Sequence, residues 1–387
     1  MSADGPEPPS KLGSGRFDVK TKLGAGCFAE VWRGRVAETK EECAIKFEKV
    51  QAGSLQLQNE ADVLKSLSKP DRPQGVPDYF YFGREGLYNY LVMELLGKDL
   101  EGHRRDCGNR FDVRTASLIA EQALLRIEYL HSKGFVHRDI KPENFAFGVG
   151  SRIHHLYLID FGLTRRYFNH GHVQMRTKLS LVGTARYASI NAHRGVEQSR
   201  RDDVEAIGHL LIYFLRGSLP WSGLVAKTNE EKCRKVREKK EQVPISDLCK
   251  GYPQAFARYL QVARGLEFQE RPKYEELRSM FRDVRHMEAR KLGMAIEDHS
   301  YQWFDGKSVR AQYGELVPLV RCTNVLQPDE MPRKSCFSLW DESSALGSIT
   351  QLLMQCQSLY AEVKDRQDTQ LITVTPCLTH SPTQQPS

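Results

Sequence analysis

Three side chains able to accept a proton, neutralise an oxyanion and ligate a cation lie close together in His137-Arg138-Asp139-Ile140-Lys141-Pro142-Glu143-Asn144. Asp139 is a base that can take the proton of a hydroxyl as it accepts a phosphoryl group. Lys141, two residues on, can reach the phosphoryl in flight and offset its developing charge. Asn144 can turn back into the same cleft as a metal ligand, because the intervening loop brings both side chains together. The competing reading of such an octapeptide is a surface loop with scattered charges.

The octapeptide resembles the catalytic loop of protein kinases, H-R-D-[IL]-x-x-x-N. Order along the chain argues against the surface-loop reading. Asp160-Phe161-Gly162 follows the apolar run Leu156-Tyr157-Leu158-Ile159 at kinase spacing, and Asp160 joins Asn144 as an expected Mg2+ ligand. Upstream, Leu23-Gly24-Ala25-Gly26-Cys27-Phe28-Ala29-Glu30-Val31 matches G-x-G-x-x-G-x-V except that Ala29 replaces the third glycine. The two glycines let backbone N–H groups approach phosphates where a Cβ would intrude. Alone, this stretch reads as readily as a plain hairpin turn. Ala29 is tolerable there if it keeps a negative φ. Cys43-Ala44-Ile45-Lys46 matches the V-A-I-K strand, with Lys46 expected on the α- and β-phosphates of ATP.

The elements that must position these residues are partly legible. Phe17 to Val50 reads as strands with a turn between them. Gln56–Leu67 carries apolar residues at 57, 61, 64 and 67, the spacing of an amphipathic helix. Glu60 falls at the edge of that apolar stripe and is expected to hold Lys46, with Asp62 as a rival on the solvated side. Leu87 to Glu94 reads as a strand ending at a hinge near Gly97. Met93 would wall the back of an adenine pocket, and the backbone from Glu94 to Leu96 would face the adenine edge. Thr115 to Ser132 is a long helix delivering the chain to His137. Asp203, at the head of another apolar helix, is expected to brace the catalytic loop. Lys227 to Lys240 is either an exposed mixed-charge helix or a basic nuclear-localisation patch. Phe256 to Met287 closes a helical lobe.

Size and composition set bounds. With 387 residues, more than one packed lobe is expected. No apolar run approaches the roughly 18–20 residues of a membrane span, so no membrane partner is expected. Nine scattered cysteines without a C-x-x-C pair read as reduced thiols of a cytosolic or nuclear protein. The net charge of +7 suits acidic partners. No finger, RNA-recognition or helix-turn-helix signature points to nucleic acid.

Gly183-Thr184-Ala185-Arg186-Tyr187-Ala188-Ser189-Ile190-Asn191-Ala192-His193 and Glu197-Gln198-Ser199-Arg200-Arg201-Asp202-Asp203 are similar to the casein kinase 1 family. Ser189-Ile190-Asn191 stands where most kinases carry A-P-E. Met93-Glu94-Leu95-Leu96-Gly97, Gly217-Ser218-Leu219-Pro220-Trp221 and Cys249-Lys250-Gly251-Tyr252-Pro253 add to the likeness, which covers about residues 16–293. The tau-tubulin and vaccinia-related kinases are close relatives, so the subfamily stays open.

The resemblance implies an α+β, bilobal protein kinase fold: a small antiparallel β-sheet lobe with one helix, and a larger, mainly helical lobe. It implies a serine/threonine kinase using ATP and Mg2+, with acidic or pre-phosphorylated protein substrates; separately, a monomer is expected. Arg186, Gly223 and Lys232 match the family's site for a substrate phosphate. The expected organisation is a disordered segment 1–15, an N-lobe 16–96, a C-lobe 97–293, and an extension 294–387, largely disordered with one helix at 346–363. The alternative function is a pseudokinase scaffold that binds partners without catalysis, for which Ala29 is the only support.

Overall fold

The structure, a computed structural model, describes residues 8–26, 29–50, 56–69, 73–293 and 301–304. The expected helix at 346–363 therefore lies outside the described residues, as do Cys27 and Phe28 of the glycine-rich stretch.

One antiparallel sheet holds the strands of the smaller lobe: β1 (Lys11–Leu12), β2 (Phe17–Ala25), β3 (Glu30–Val36), β4 (Glu42–Lys49), β5 (Tyr79–Glu85) and β6 (Tyr88–Glu94), in the spatial order β1-β2-β3-β4-β6-β5. Strand periodicity sorts its two faces. Cys43, Ile45 and Phe47 of β4 and Tyr88, Tyr90 and Val92 of β6 point into one apolar cluster with Leu12 and Phe17. Their neighbours Ala44, Lys46 and Met93 point the other way and line a cleft. That same alternation carries a lysine to the cleft between two buried apolar residues.

Residues 8–15 depart from the expected disordered segment. Lys11–Leu12 pairs with Phe17 and Asp18, and Leu12 is fully buried. A single apolar residue among Gly, Pro and Ser is enough here, because the sheet supplies the partner strand.

Helix α1 (Gln56–Leu67) buries Leu57, Glu60, Ala61, Val63, Leu64 and Leu67, as its period requires. The larger lobe is helical: α2 (Leu100–Asp106), α3 (Val113–Ser132), α4 (Ile190–His193), α5 (Arg200–Arg216), α6 (Asn229–Gln242), α7 (Ile245–Leu248), α8 (Gln254–Gly265) and α9 (Tyr274–Lys291). Short strands β7 (Phe135–Val136), β8 (Phe145–Phe147), β9 (Leu156–Leu158) and β10 (Arg165–Arg166) frame its loops. Asp112 caps α3, its carboxylate accepting from Thr115 N at 2.6 Å, so the helix begins slightly before the expected Thr115. Helices α3 and α5 are buried along nearly their whole length. Buried ion pairs, Arg285 to Glu121 at 2.9 Å and Arg278 to Glu128, fasten α9 to α3.

Within the extension, residues 301–304 pack against the helical lobe. Trp303 stacks on His103 with ring centroids 4.2 Å apart and on Tyr301 at 4.7 Å. Tyr301 meets Phe147 edge-on and is 2% exposed. Gln302 accepts from Asp112 N at 2.8 Å, and its own N–H donates to Thr115 Oγ1 at 3.1 Å. Sequence reasoning passed over this aromatic run because it has no helix or strand period.

Candidate active site

The fold holds residues 137–144 in place through one buried carboxylate. Asp203, on the first turn of α5, accepts from His137 N at 2.7 Å and from Arg138 N at 2.9 Å. His131 Nε2 lies 2.9 Å from the same carboxylate. Burial alone would raise the Asp203 carboxyl, but His131 and these backbone donors hold it below its usual range. Arg138 adopts a left-handed φ of 68°, a conformation uncommon for a side chain with a Cβ, and these bonds are what fix it. The bracing expected of Asp203 is therefore present.

Asp139 is 6% exposed, and both of its carboxylate oxygens are engaged. Lys141 Nζ donates to Oδ2 at 2.6 Å and Thr184 Oγ1 donates to Oδ1 at 2.7 Å. Asn144 Nδ2 donates to the Asp139 carbonyl at 2.9 Å, with a longer contact to Oδ2 at 3.3 Å. The amide nitrogen is thus spent on the loop, which leaves the amide oxygen as the atom available to a cation. Asp160 adopts a φ of 63° and reaches back to the sheet lobe, where Lys46 Nζ donates to its Oδ1 at 3.0 Å.

Lys46 also donates to Glu60 Oε2 at 2.7 Å, so the expected strand–helix pair forms and Asp62, exposed, does not compete. Burial pulls the Lys46 ammonium down, but Glu60 and Asp160 more than offset it and hold it above the ordinary lysine range. Burial raises the Glu60 carboxyl despite Lys46, whereas Asp160, also buried, ends lowered by Lys46. Asn59, the residue before Glu60, donates through Nδ2 to the carbonyls of Phe161, Gly162 and Thr164 at 3.2, 3.0 and 3.1 Å. It ties α1 to the segment bearing Asp160. Sequence reasoning missed it, since an asparagine on a helix's polar side carries no local signal.

These residues share one cleft of about 930 Å³. Leu23, Gly24, Ala25, Gly26, Ala29 and Val31 line it above, and Met93, Glu94, Leu95 and Leu96 line it at the hinge. Lys46, Glu60, Asp139, Lys141, Asn144 and Asp160 complete it. Ala29, standing where the motif has its third glycine, is among the residues that line the cleft. The Glu94 side chain points elsewhere, accepting from Asp78 N at 3.1 Å and pairing with Arg152 at 3.0 Å. Glu30 is a correction: it does not line the cleft but pairs with Lys22 at 2.8 Å on the exposed sheet surface. Strand alternation sends it to the face opposite its neighbours Ala29 and Val31. Lys98, Asp99, Arg105 and Asp106, at the front of the cleft, carried no motif and were not foreseen.

Asp160 and the free oxygen of Asn144 are hard donors suited to Mg2+, which commonly takes one or two protein ligands together with substrate phosphates. Among the described residues no cluster of three or more His, Cys, Asp or Glu could hold a metal without such help.

Arg186, Gly223 and Lys232 lie outside this cleft and are exposed. Trp221 Nε1 donates to the Arg186 carbonyl at 2.7 Å, which ties the loop carrying Gly223 to Arg186. Lys232 sits on the first turn of α6, anchored to the same loop by Lys235 Nζ to Val225 O at 2.9 Å. In the stretch between Asp160 and Asn191, Arg165 and Arg176 both reach the buried Glu197, at 3.2 and 2.6 Å. No helix among the described residues is long and apolar enough to cross a membrane. The family model of the protein kinase domain matches residues 17–281.

Proposed function

The chain belongs to the protein kinase family, and on that footing we propose that it is a serine/threonine kinase of the casein kinase 1 group. Its reaction is transfer of the γ-phosphoryl of Mg·ATP to Ser or Thr hydroxyls in acidic or pre-phosphorylated proteins. The observation that carries this reading is the complete polar set in one cleft. Asp139 is fixed by Lys141 and Thr184, while Lys46 is paired with both Glu60 and Asp160.

Each residue has a task in that reaction. Asp139 accepts the hydroxyl proton and aims the nucleophile. Lys141, already 2.6 Å from Asp139, stands where charge develops as the phosphoryl moves across. Lys46, pinned by Glu60, orients the α- and β-phosphates. Asp160 and Asn144 would hold Mg2+, which when bound neutralises charge on the phosphates. The exposed guanidinium of Arg186, with Lys232 on the neighbouring helix, suits an acidic or phosphorylated residue near the acceptor, since arginine offers phosphate a fork of donors. The four cysteines among the described residues are free, which supports a reducing cytosolic or nuclear setting.

The test is Asp139→Asn. ATP binding should persist while phosphorylation of casein falls by about 10²- to 10⁴-fold, the range of a general base. Phosphorylation at the parental rate would overturn the role of Asp139, and a parental protein that transfers no phosphoryl group would favour the non-catalytic scaffold.

A further inference from the structure

Between Thr184, which contacts Asp139, and Ser189, which caps α4, four consecutive backbone carbonyls each accept a hydrogen bond from a side chain of the helical lobe. The Ala185 carbonyl accepts from His193 Nε2 at 2.9 Å and from Lys240 Nζ at 3.0 Å. The Arg186 carbonyl accepts from Trp221 Nε1 at 2.7 Å, and the Tyr187 carbonyl from His209 Nδ1 at 2.8 Å. The Ala188 carbonyl accepts from Lys240 Nζ again. A carbonyl can only accept, so each histidine nitrogen here carries its proton. No α-helix or β-ladder supplies these bonds; the loop takes its path from the donors around it.

Lys240 is the unusual member. It lies on the last turn of a helix whose other lysines are at least partly exposed, yet it is 0% exposed and packs 5.2 Å from the Trp221 ring centroid. Burying an ammonium is costly, and an apolar side chain would fill the space more cheaply. Burial, against the raising influence of Glu205, brings it down to about 7. Charged or neutral, it keeps N–H donors for both carbonyls.

We propose that Lys240 is a positioning residue for the protein substrate. By holding the carbonyls of Ala185 and Ala188 it fixes the floor that follows Thr184, without touching ATP or the acceptor. The floor's end at Thr184 is tied to Asp139, and its outer side presents Arg186. A peptide crossing the site must lie over this loop, whereas a water molecule attacking ATP does not use it. The inference rests on the kinase reading above.

Lys240→Met tests it through two reactions of one protein: phosphorylation of casein, and hydrolysis of ATP without acceptor. The expected result is a fall in kcat/KM for casein at least fivefold greater than the fall in ATP hydrolysis, with KM for ATP within about twofold of the parental value. A smaller ratio overturns the proposal. Should Lys240→Met bind no ATP, Lys240→Gln decides by the same ratio, since it keeps a polar side chain in the space but is shorter than the lysine that holds the Ala185 and Ala188 carbonyls. Parental protein that fails to phosphorylate casein sinks the kinase reading itself; active parental protein with an indifferent variant sinks only the role of Lys240.

Discussion

Glu60→Gln isolates one charge at the centre of the cleft. Lys46 lies 2.7 Å from Glu60 and 3.0 Å from Asp160. At an effective dielectric of 20 those separations correspond to attractions of about 6 and about 5.5 kcal/mol before desolvation, so neither carboxylate dominates. Glutamine keeps the shape and a neutral acceptor but removes one of the two pulls. Lys46 then follows Asp160, towards the carboxylate that Mg2+ needs and away from the α- and β-phosphates. The net worth of a hydrogen bond to a charged group is about 1.5–3 kcal/mol. Expressed fully in the transition state, that is a loss of roughly 10- to 150-fold in kcat/KM for ATP. The assay is steady-state phosphorylation of casein with ATP varied, beside a thermal unfolding control to show that the variant is folded. A folded Glu60→Gln enzyme within twofold of the parental kcat/KM would refute the reasoning, because Asp160 alone would then suffice to place Lys46.

Three further outcomes follow from the same geometry. Burial, with the Lys240 ammonium nearby, depresses His193 to about 4 from an ordinary 6.5. Its neutral form therefore contributes stability that is fully present above pH 6.5 and is lost as pH falls through 4, at most about 3 kcal/mol. Burial raises Asp202 to about 7, which gives the opposite slope. The test is accordingly the difference between parental and His193→Gln melting temperatures from pH 7 to 4, and parallel curves would contradict it. Arg186→Ala should lower kcat/KM about tenfold for a peptide bearing phosphoserine three residues before its serine, and little for the unmodified peptide, a loss of about 1.4 kcal/mol; equal effects on both would count against the phosphate site. Because Glu197 already pairs with both Arg165 and Arg176, phosphatase treatment of the enzyme should leave its casein activity within about twofold. A tenfold fall would show that a covalent phosphate orders the segment instead.

What the sequence disclosed was chemistry carried by short spacing. Asp139, Lys141, Asn144 and Asp160 sit in rigid local patterns, and Glu60 fell out of a helical period because only one face of α1 could be buried. Glu30 was misplaced for the complementary reason: a motif assigns a run of residues to a site, but a strand delivers alternate side chains to opposite faces. Lys240 was illegible. Nothing local distinguishes it from exposed Lys239, and the helix carrying both reads from sequence as an exposed mixed-charge helix or a localisation patch. Its burial depends on Trp221 and on carbonyls more than 50 residues upstream, partners that no window of the sequence brings together. Asn59 and Thr184 escaped notice on the same grounds: their value lies in the backbone or carboxylate they meet across the cleft.

The mooring of Tyr301, Trp303 and Phe304 changes where a minimal enzyme can be cut. A fragment ending at Gly293, just past α9, strips aromatic cover from His103 and Phe147 and removes the ties of Gln302 to Asp112 and Thr115. His103 belongs to α2, whose residues Gly102, Arg105 and Asp106 border the nucleotide cleft. Activity measured on such a fragment would mix a loosened cleft wall with any influence of the tail. A boundary placed after Phe304 keeps the two apart.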